Sequence, residues 1–140
     1  MGLNAYFLAD TSAVARIAQP PVAARLRPLI EAGLVARCTV TDLEAGVSAR
    51  SGPAWHRTRS ARSSWPQAEI DQSVLDRALD VQGELAGQGL YRTVKLGDLV
   101  IAATAERAGL VVLHYDRDFE RIASITDQPT EWVVPAGTAD

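Results

Sequence analysis

Cysteine is all but missing from this chain. Cys38 stands alone among 140 residues, which excludes an internal disulfide and a cysteine-based zinc site and leaves Cys38 to be read as a small buried hydrophobe. Histidine is nearly as scarce: His56 and His114 are the only two, too few for a His-rich metal site. Lysine is scarcer still, with Lys95 the single lysine among 14 cations and the other 13 arginines. No apolar run approaches the ~18 residues that a membrane helix needs. The opening stretch 1–10 lacks the basic n-region and long apolar core of a signal peptide. A cytoplasmic location and no membrane partner are therefore expected. A Gly-rich phosphate loop is absent, as are a Ser-His or Cys-His pairing for nucleophilic catalysis, an internal repeat and an interdomain linker. Carboxylate is what remains for chemistry, and an all-oxygen site favours Mg²⁺ or Mn²⁺ over zinc.

The hydrophobic fraction of 47% and charged fraction of 22% are those of an ordinary globular domain. One domain over 1–134 is expected, followed by a flexible tail at 135–140. Residues 5–9 form a short apolar run without alternation, the mark of a buried parallel strand. It stops at Asp10-Thr11-Ser12, three residues that each suit a helix N-cap. The spacing predicts a short helix over 13–18, ended by Gln19-Pro20-Pro21, and a second helix from Pro21 to about Ala32, closed by Gly33. A strand over 34–39 follows, then a helix opened by Thr41-Asp42-Leu43-Glu44, which matches a capping box. An Arg-rich helix over 54–64 leads to an extended piece at 65–70. A long helix over 71–86 carries Val74, Leu75, Ala78, Leu79 and Leu85 at helical spacing. A small-residue-rich helix begins at Asp98 and is nearly apolar all round, hence buried. Then come a strand over 110–113, a short helix to about Ala123 and a last strand near 131–134. The pattern is α/β: a mainly parallel sheet of about five short strands flanked by helices, with right-handed crossovers.

In open α/β sheets, ligands bind beyond the carboxyl ends of the strands. Asp10 ends the first strand, Asp116 follows the 110–113 strand, Glu44 lies in the first turn after the second strand, and Asp98 opens the buried helix. N-capping accounts for Asp10, Asp98 and Asp118 without chemistry, and the capping box for Glu44, since helices of α/β proteins start at the same edge. Against that, Glu44 sits beside Leu43 and Val47 on a largely apolar face, and a charge on the Asp98 helix is expensive to bury unpaired. Acids gathered this closely repel and raise one another's pKa, and a divalent cation is the usual way to keep them ionised. The chemistry that wants such a cluster is phosphodiester hydrolysis, with one or two metals lowering the pKa of a bound water. The net charge of −3 becomes +1 once these four carboxylates are set aside. Other phosphoryl chemistries fit poorly. A haloacid-dehalogenase phosphatase needs a second Asp where this chain has Ser12, and a receiver domain needs an acidic pair and a late Lys that are absent.

These same residues carry a family resemblance. Phe7-Leu8-Ala9-Asp10-Thr11-Ser12, Glu44 within 39–44, Asp98-Leu99-Val100-Ile101-Ala102-Ala103-Thr104-Ala105 and Leu113-His114-Tyr115-Asp116-Arg117-Asp118-Phe119 resemble, in order and spacing, the PIN-domain ribonucleases. Within these the likeness is to the VapC-type toxins of bacterial toxin–antitoxin modules, and it covers almost the whole chain. It implies a PIN-like parallel sheet and a Mg²⁺- or Mn²⁺-dependent endoribonuclease of a type II module, with tRNA or rRNA as the substrate class expected. It further implies a homodimer and a VapB-like antitoxin that blocks the site and binds operator DNA. The site it implies is Asp10, Glu44, Asp98 and Asp116, with Asp118 a frequent fifth acid and Ser12 supporting Asp10. His114 and Tyr115 depart from the family, where Thr and a small polar residue are common, which puts local substrate contacts in question. A second reading is a PIN-like module that binds RNA or protein without catalysis; an assay with and without EDTA separates the two.

The clearest basic patch is Arg57, Arg59 and Arg62, between Trp55 and Trp65. It is either an RNA-backbone contact with an aromatic for stacking or a solvated helix face, its tryptophans packed in the core or against an antitoxin. Arg92 and Lys95, just before Asp98, are further candidates for phosphate contacts. His114 is either an acid–base group or a hydrogen-bonded structural residue at a strand end.

Overall fold

The computed structural model describes residues 4–140; the first three residues of the expected 1–134 domain lie outside the described residues. The sheet is built from β1 (Phe7–Ala9), β2 (Val35–Ala36), β3 (Val111–His114) and β4 (Thr130–Trp132), in the order β2-β1-β3-β4. Every pairing is parallel, with Phe7 opposite both Val35 and Val111 and Val112 opposite Thr130. Among the described residues seven helices surround it: α1 (Thr11–Val14), α2 (Pro20–Glu31), α3 (Thr39–Val47), α4 (Gly52–Arg62), α5 (Gln72–Gly87), α6 (Leu96–Ala108) and α7 (Asp118–Thr126).

Neighbouring strand residues alternate between two cores. Leu8, Ala36 and Val112 join the buried faces of α5, α6 and α7, through Val74, Val81, Leu85, Leu99, Ile101, Phe119 and Ile122. Phe7 and Leu113 point the other way and meet Ala13, Val22 and Leu26 of α1 and α2. Covering both faces is what a parallel sheet requires, and it explains why its strands read as unbroken apolar runs. Burying a side chain the size of Leu26 contributes about 2 kcal/mol, so α2 is held mainly by Val22 and Leu26. Gly109 closes α6 with φ of 71°, a left-handed cap that glycine adopts without strain.

Several expectations are revised. The sheet has four strands among the described residues, not five. The 65–70 piece makes only an isolated bridge between Arg37 and Gln67, because Pro66 lacks the N–H that would extend the ladder. The helix expected over 13–18 starts two residues earlier and gives way to turns after Val14. Thr41 and Glu44 do not form the capping box. α3 begins one turn sooner, with Cys38 at the N-cap and Thr41 as its partner, and Glu44 is left free to reach elsewhere. Nor does Asp98 cap α6: Lys95 is the N-cap residue and Asp98 stands in the first turn. On α5 the buried stripe is Val74, Ala78, Val81 and Leu85, while Leu75 and Leu79 are exposed. The tail is docked. Ala139 is buried, its N–H donates to Tyr115 Oη and its carbonyl accepts from Arg16 and Gln19. Asp140 Oδ1 accepts from Tyr115 Oη at 2.7 Å, so several hydrogen bonds offset the entropy of ordering a polar end.

Candidate active site

The parallel register carries β1 and β3 out of the sheet side by side, and Asp10 N–H donates to the Leu113 carbonyl at 2.9 Å. Asp10 is the N-cap of α1. Its Oδ2 accepts from the Ser12 N–H at 2.9 Å and the Ser12 hydroxyl at 2.5 Å, and that hydroxyl accepts from the Tyr115 N–H at 2.8 Å. Ser12 thus ties the first acid to the loop that carries Asp116. Asp10 Oδ1 is buried without a hydrogen-bond partner. Burial raises the Asp10 pKa despite the two Ser12 hydrogen bonds, and the charges of Glu44 and Asp116 add to the rise.

Beyond β3 the chain turns so that Asp116 Oδ1 accepts from the Asp118 N–H at 2.9 Å, which starts α7. Oxygens of Asp98, Asp116 and Asp118 all lie within 4.8 Å of one another. Asp98 is only 2% exposed, and its Oδ2 receives no hydrogen bond. Desolvation first, then the hydrogen bond to Asp118 and the charge of Asp10, push its pKa up to about 8. Burial would raise Asp118 as well, but hydrogen bonds from the Lys95 backbone, Asp98 and the Lys95 side chain hold it below its ordinary value. The pair is thus driven apart, Asp98 upward and Asp118 downward. Arg121 adds a cationic contact to Asp118 Oδ1 at 3.1 Å.

Glu44 stands outside that compact triad. Its Oε1 accepts from Thr11 Oγ1 at 2.8 Å, and its Oε2 lies where a Cβ on Gly97 would be only 3.2 Å away. It therefore bridges the starts of α1 and α6, close enough for its charge to act on Asp10. The five acids form one chain of neighbours, with three in ligand-sharing range and Asp10 and Glu44 on the flank.

Lys95 was singled out in the sequence as a phosphate contact, yet its ammonium lies against the acids, 2.6 Å from Asp116, 3.1 Å from Asp118 and 3.5 Å from Asp98. Burial works against this ammonium, but the hydrogen bonds and charges of those acids outweigh it and raise its pKa. Arg62 is corrected. It is buried, pairs with Asp42 at 2.8 Å, donates to Thr41 Oγ1 and stacks on Trp65, so it is held in the fold rather than displayed on an exposed basic face. Arg57, Arg59 and Arg92 stay exposed, Arg59 over the Trp55 ring and Arg92 over Tyr91. Trp55 lines a groove of about 390 Å³ with Arg37, Asp42, Leu43 and Arg59, and none of the five acids borders it. His114 is fully buried between Phe119 and Trp132. Burial lowers its pKa to about 4, and its Nδ1 accepts from the Asp116 N–H. It is a neutral structural group that orients the Asp116 backbone. Tyr115 is buried too. Sequence reasoning missed Arg16, Arg117 and Arg121, which line a hollow of about 380 Å³ together with Asp116; lying next to the second strand-end acid is the one signal that could have found Arg117.

The donor set suits a divalent cation. All its atoms are carboxylate oxygens, two of them, Asp10 Oδ1 and Asp98 Oδ2, are buried and unsatisfied, and hard cations of the Mg²⁺ type prefer such ligands. Among the described residues no helix is long and apolar enough to cross a membrane.

Known proteins resemble this chain in both sequence and fold. The PIN domain family matches residues 7–125. Ribonuclease VapC21 of Mycobacterium tuberculosis is 51% identical over 135 residues, covering 95% of this chain and 97% of that protein. Ribonuclease VapC51 of the same species is 48% identical over 134 residues, 96% and 97% of the two chains. Among solved structures, the DNA-bound VapBC of Salmonella typhimurium superposes with a TM-score of 0.72 at 24% identity, over 93% of this chain and 99% of that one. VapBC-5 of Mycobacterium tuberculosis gives 0.57 at 25% identity, over 91% and 97%. This chain belongs to the PIN-domain family, with the VapC ribonucleases as its relatives.

Proposed function

We propose that the chain is the endoribonuclease toxin of a type II toxin–antitoxin pair, a cytoplasmic hydrolase of RNA phosphodiester bonds that depends on Mg²⁺ or Mn²⁺. The observation that carries the reading is the convergence of Asp98, Asp116 and Asp118 within 4.8 Å, with Asp10 and Asp98 each keeping a buried oxygen unsatisfied. A bound divalent cation supplies water activation and neutralises charge developing on the phosphate and leaving oxygen. Asp98, Asp116 and Asp118 would hold it, Asp10 would complete the set, and Glu44, fixed by Thr11, would act from the flank. Ser12 keeps Asp10 Oδ2 occupied and so leaves Oδ1 as its free donor. With its pKa raised, Asp98 binds a cation in competition with a proton, so loading should release protons near neutral pH.

RNA would reach the acids across the hollow lined by Arg16, Arg117 and Arg121, where guanidinium groups suit phosphate. Arg57, Arg59 and Arg92 are exposed for more distant backbone contacts. A structured RNA, tRNA or rRNA, is the substrate class. A VapB-like antitoxin is the protein partner, and a second copy of the chain would cover the exposed leucines Leu75, Leu79 and Leu96. Asp98→Asn and Asp10→Asn should each lower Mg²⁺-dependent RNA cleavage at least about a hundredfold, several kcal/mol of lost charge stabilisation, while circular dichroism stays unchanged. Cleavage that survives EDTA, or full activity in either variant, overturns the reading. No cleavage of any RNA by the wild type under Mg²⁺ or Mn²⁺ favours the silent binding module instead.

A further inference from the structure

Lys95 occupies an unusual place for a phosphate-binding lysine. As N-cap of α6 its backbone is fixed, and its own N–H donates to Asp118 Oδ2 at 3.0 Å. Its side chain is 65% exposed, yet the ammonium bends back onto Asp116, Asp118 and Asp98. These are the three acids whose oxygens converge within 4.8 Å. One lysine charge sits at the mouth of three carboxylates, and a divalent cation would need the same lone pairs. A lysine ammonium is a compact point charge on a flexible stem, so it can fill such a mouth and leave it without disturbing the backbone.

We propose that Lys95 is a built-in placeholder cation. It holds the triad together while no divalent ion is bound, yields the carboxylates to the ion, and then projects from the mouth, where the displaced ammonium meets a phosphate of the RNA. The inference rests on the metal-centre reading proposed above and adds a competition between Lys95 and the ion. Linkage makes the competition reciprocal: whatever favours the lysine on the acids weakens the ion by the same factor.

The chain offers a direct probe, because Lys95 is its only lysine. Full-length protein labelled with ¹³C at lysine Cε gives one side-chain signal, to be followed while Mg²⁺ is added. The signal should shift and narrow on saturation as the ammonium leaves the carboxylates. Calorimetric titration with Mn²⁺ gives the second readout. Lys95→Met should melt at a lower temperature than wild type in EDTA, yet bind Mn²⁺ about five- to tenfold more tightly, at the low end of typical coupling factors. Lys95→Arg retains the charge and should stay near wild type in both. A lysine signal that Mg²⁺ saturation leaves in place, or Mn²⁺ affinity in Lys95→Met equal to or weaker than wild type, overturns the placeholder while the metal centre stands. A wild type that binds no Mn²⁺, or an Asp98→Asn variant that binds it equally well, removes the metal centre and the placeholder with it.

Discussion

Two clusters of charge in this protein are built in opposite ways. Asp42 on α3 lies between two guanidiniums, Arg37 at 2.7 Å and Arg62 at 2.8 Å, and Arg62 also meets Thr41 and the Trp65 ring. Cations outnumber the anion there, and one buried donor, Arg37 Nε, lacks a hydrogen bond. At the end of the sheet the balance is reversed: Asp98, Asp116 and Asp118, with Asp10 and Glu44 behind them, face one lysine and Arg121. Two buried oxygens there receive no hydrogen bond, although Asp98 Oδ2 lies 3.5 Å from the Lys95 ammonium. A closed cluster is explained by stability alone. A cluster left with surplus charge and unfilled lone pairs stores repulsion that only a ligand can relieve, which is why perturbed acids tend to mark working sites.

Removing one acid from each cluster should therefore move stability in opposite directions. Asp42→Asn leaves the buried Arg62 without its counter-charge, and breaking a buried pair by deleting one partner costs about 3 kcal/mol. Asp98→Asn replaces a carboxyl whose charged form is desolvated and repelled with a neutral amide that can donate to Asp118. Its metal-free melting temperature should rise by a few degrees. Chemical denaturation in EDTA reads both variants, and an Asp98→Asn that is less stable than wild type would mean the acidic cluster is closed after all.

The acidity of the two regions supplies a smaller effect. Asp98 binds its proton more tightly in the folded chain, so between 3.8 and about 8 the folded state holds more protons than the unfolded. Stability of the metal-free protein must then fall as pH rises through that window, and Asp10, also raised, adds to the fall at its lower end. His114 acts oppositely: with a folded pKa lowered to about 4 from 6.5, it costs stability as pH drops between those values. The two slopes oppose each other below 6.5, so the Asp98 contribution shows most clearly from 6.5 to 8. Saturating Mg²⁺ should flatten that limb, because the bound ion keeps Asp98 ionised in the folded state. A melting-temperature series over pH, with and without Mg²⁺, checks the sign; a limb that climbs with pH in EDTA contradicts it.

How much of this was readable in the sequence follows from the range of each interaction. Asp10 and Asp116 were legible because a buried parallel strand announces itself as an unalternated apolar run, and each acid follows one. Asp98 was legible from the apolar helix that must bury it. Glu44 was misread locally, since Thr41-x-x-Glu44 imitates a capping box while the real cap is Cys38, a thiol whose weak hydrogen bonding makes it a poor signal. Its true partner, Thr11, is 33 residues away. Arg62 looked like part of a basic patch because its partner Asp42 lies 20 residues upstream. Lys95 is close to Asp98 in sequence, but its contacts with Asp116 and Asp118 exist only once β3 and α6 are packed. The contacts of the chain's end were hidden for the same reason: they exist only with Arg16, Gln19 and Tyr115 in place.

The finest separation of the two regions uses two glycines that sit beside them. A Cβ at Gly46 would fall 2.5 Å from Trp55 Nε1, in the groove bordered by Asp42, whereas one at Gly97 would fall 3.2 Å from Glu44 Oε2. Both are helical positions where alanine is favoured over glycine by up to about 1 kcal/mol, so neither substitution threatens the fold. Gly46→Ala must push the half-exposed Trp55 ring aside, offsetting that gain and shifting the tryptophan emission, with RNA cleavage unchanged. Gly97→Ala leaves emission alone but crowds the carboxylate that Thr11 positions, and cleavage should fall by a few-fold while melting temperature holds or rises slightly. If cleavage instead responds to Gly46 and ignores Gly97, then the Trp55 groove, rather than Glu44, belongs to the working surface.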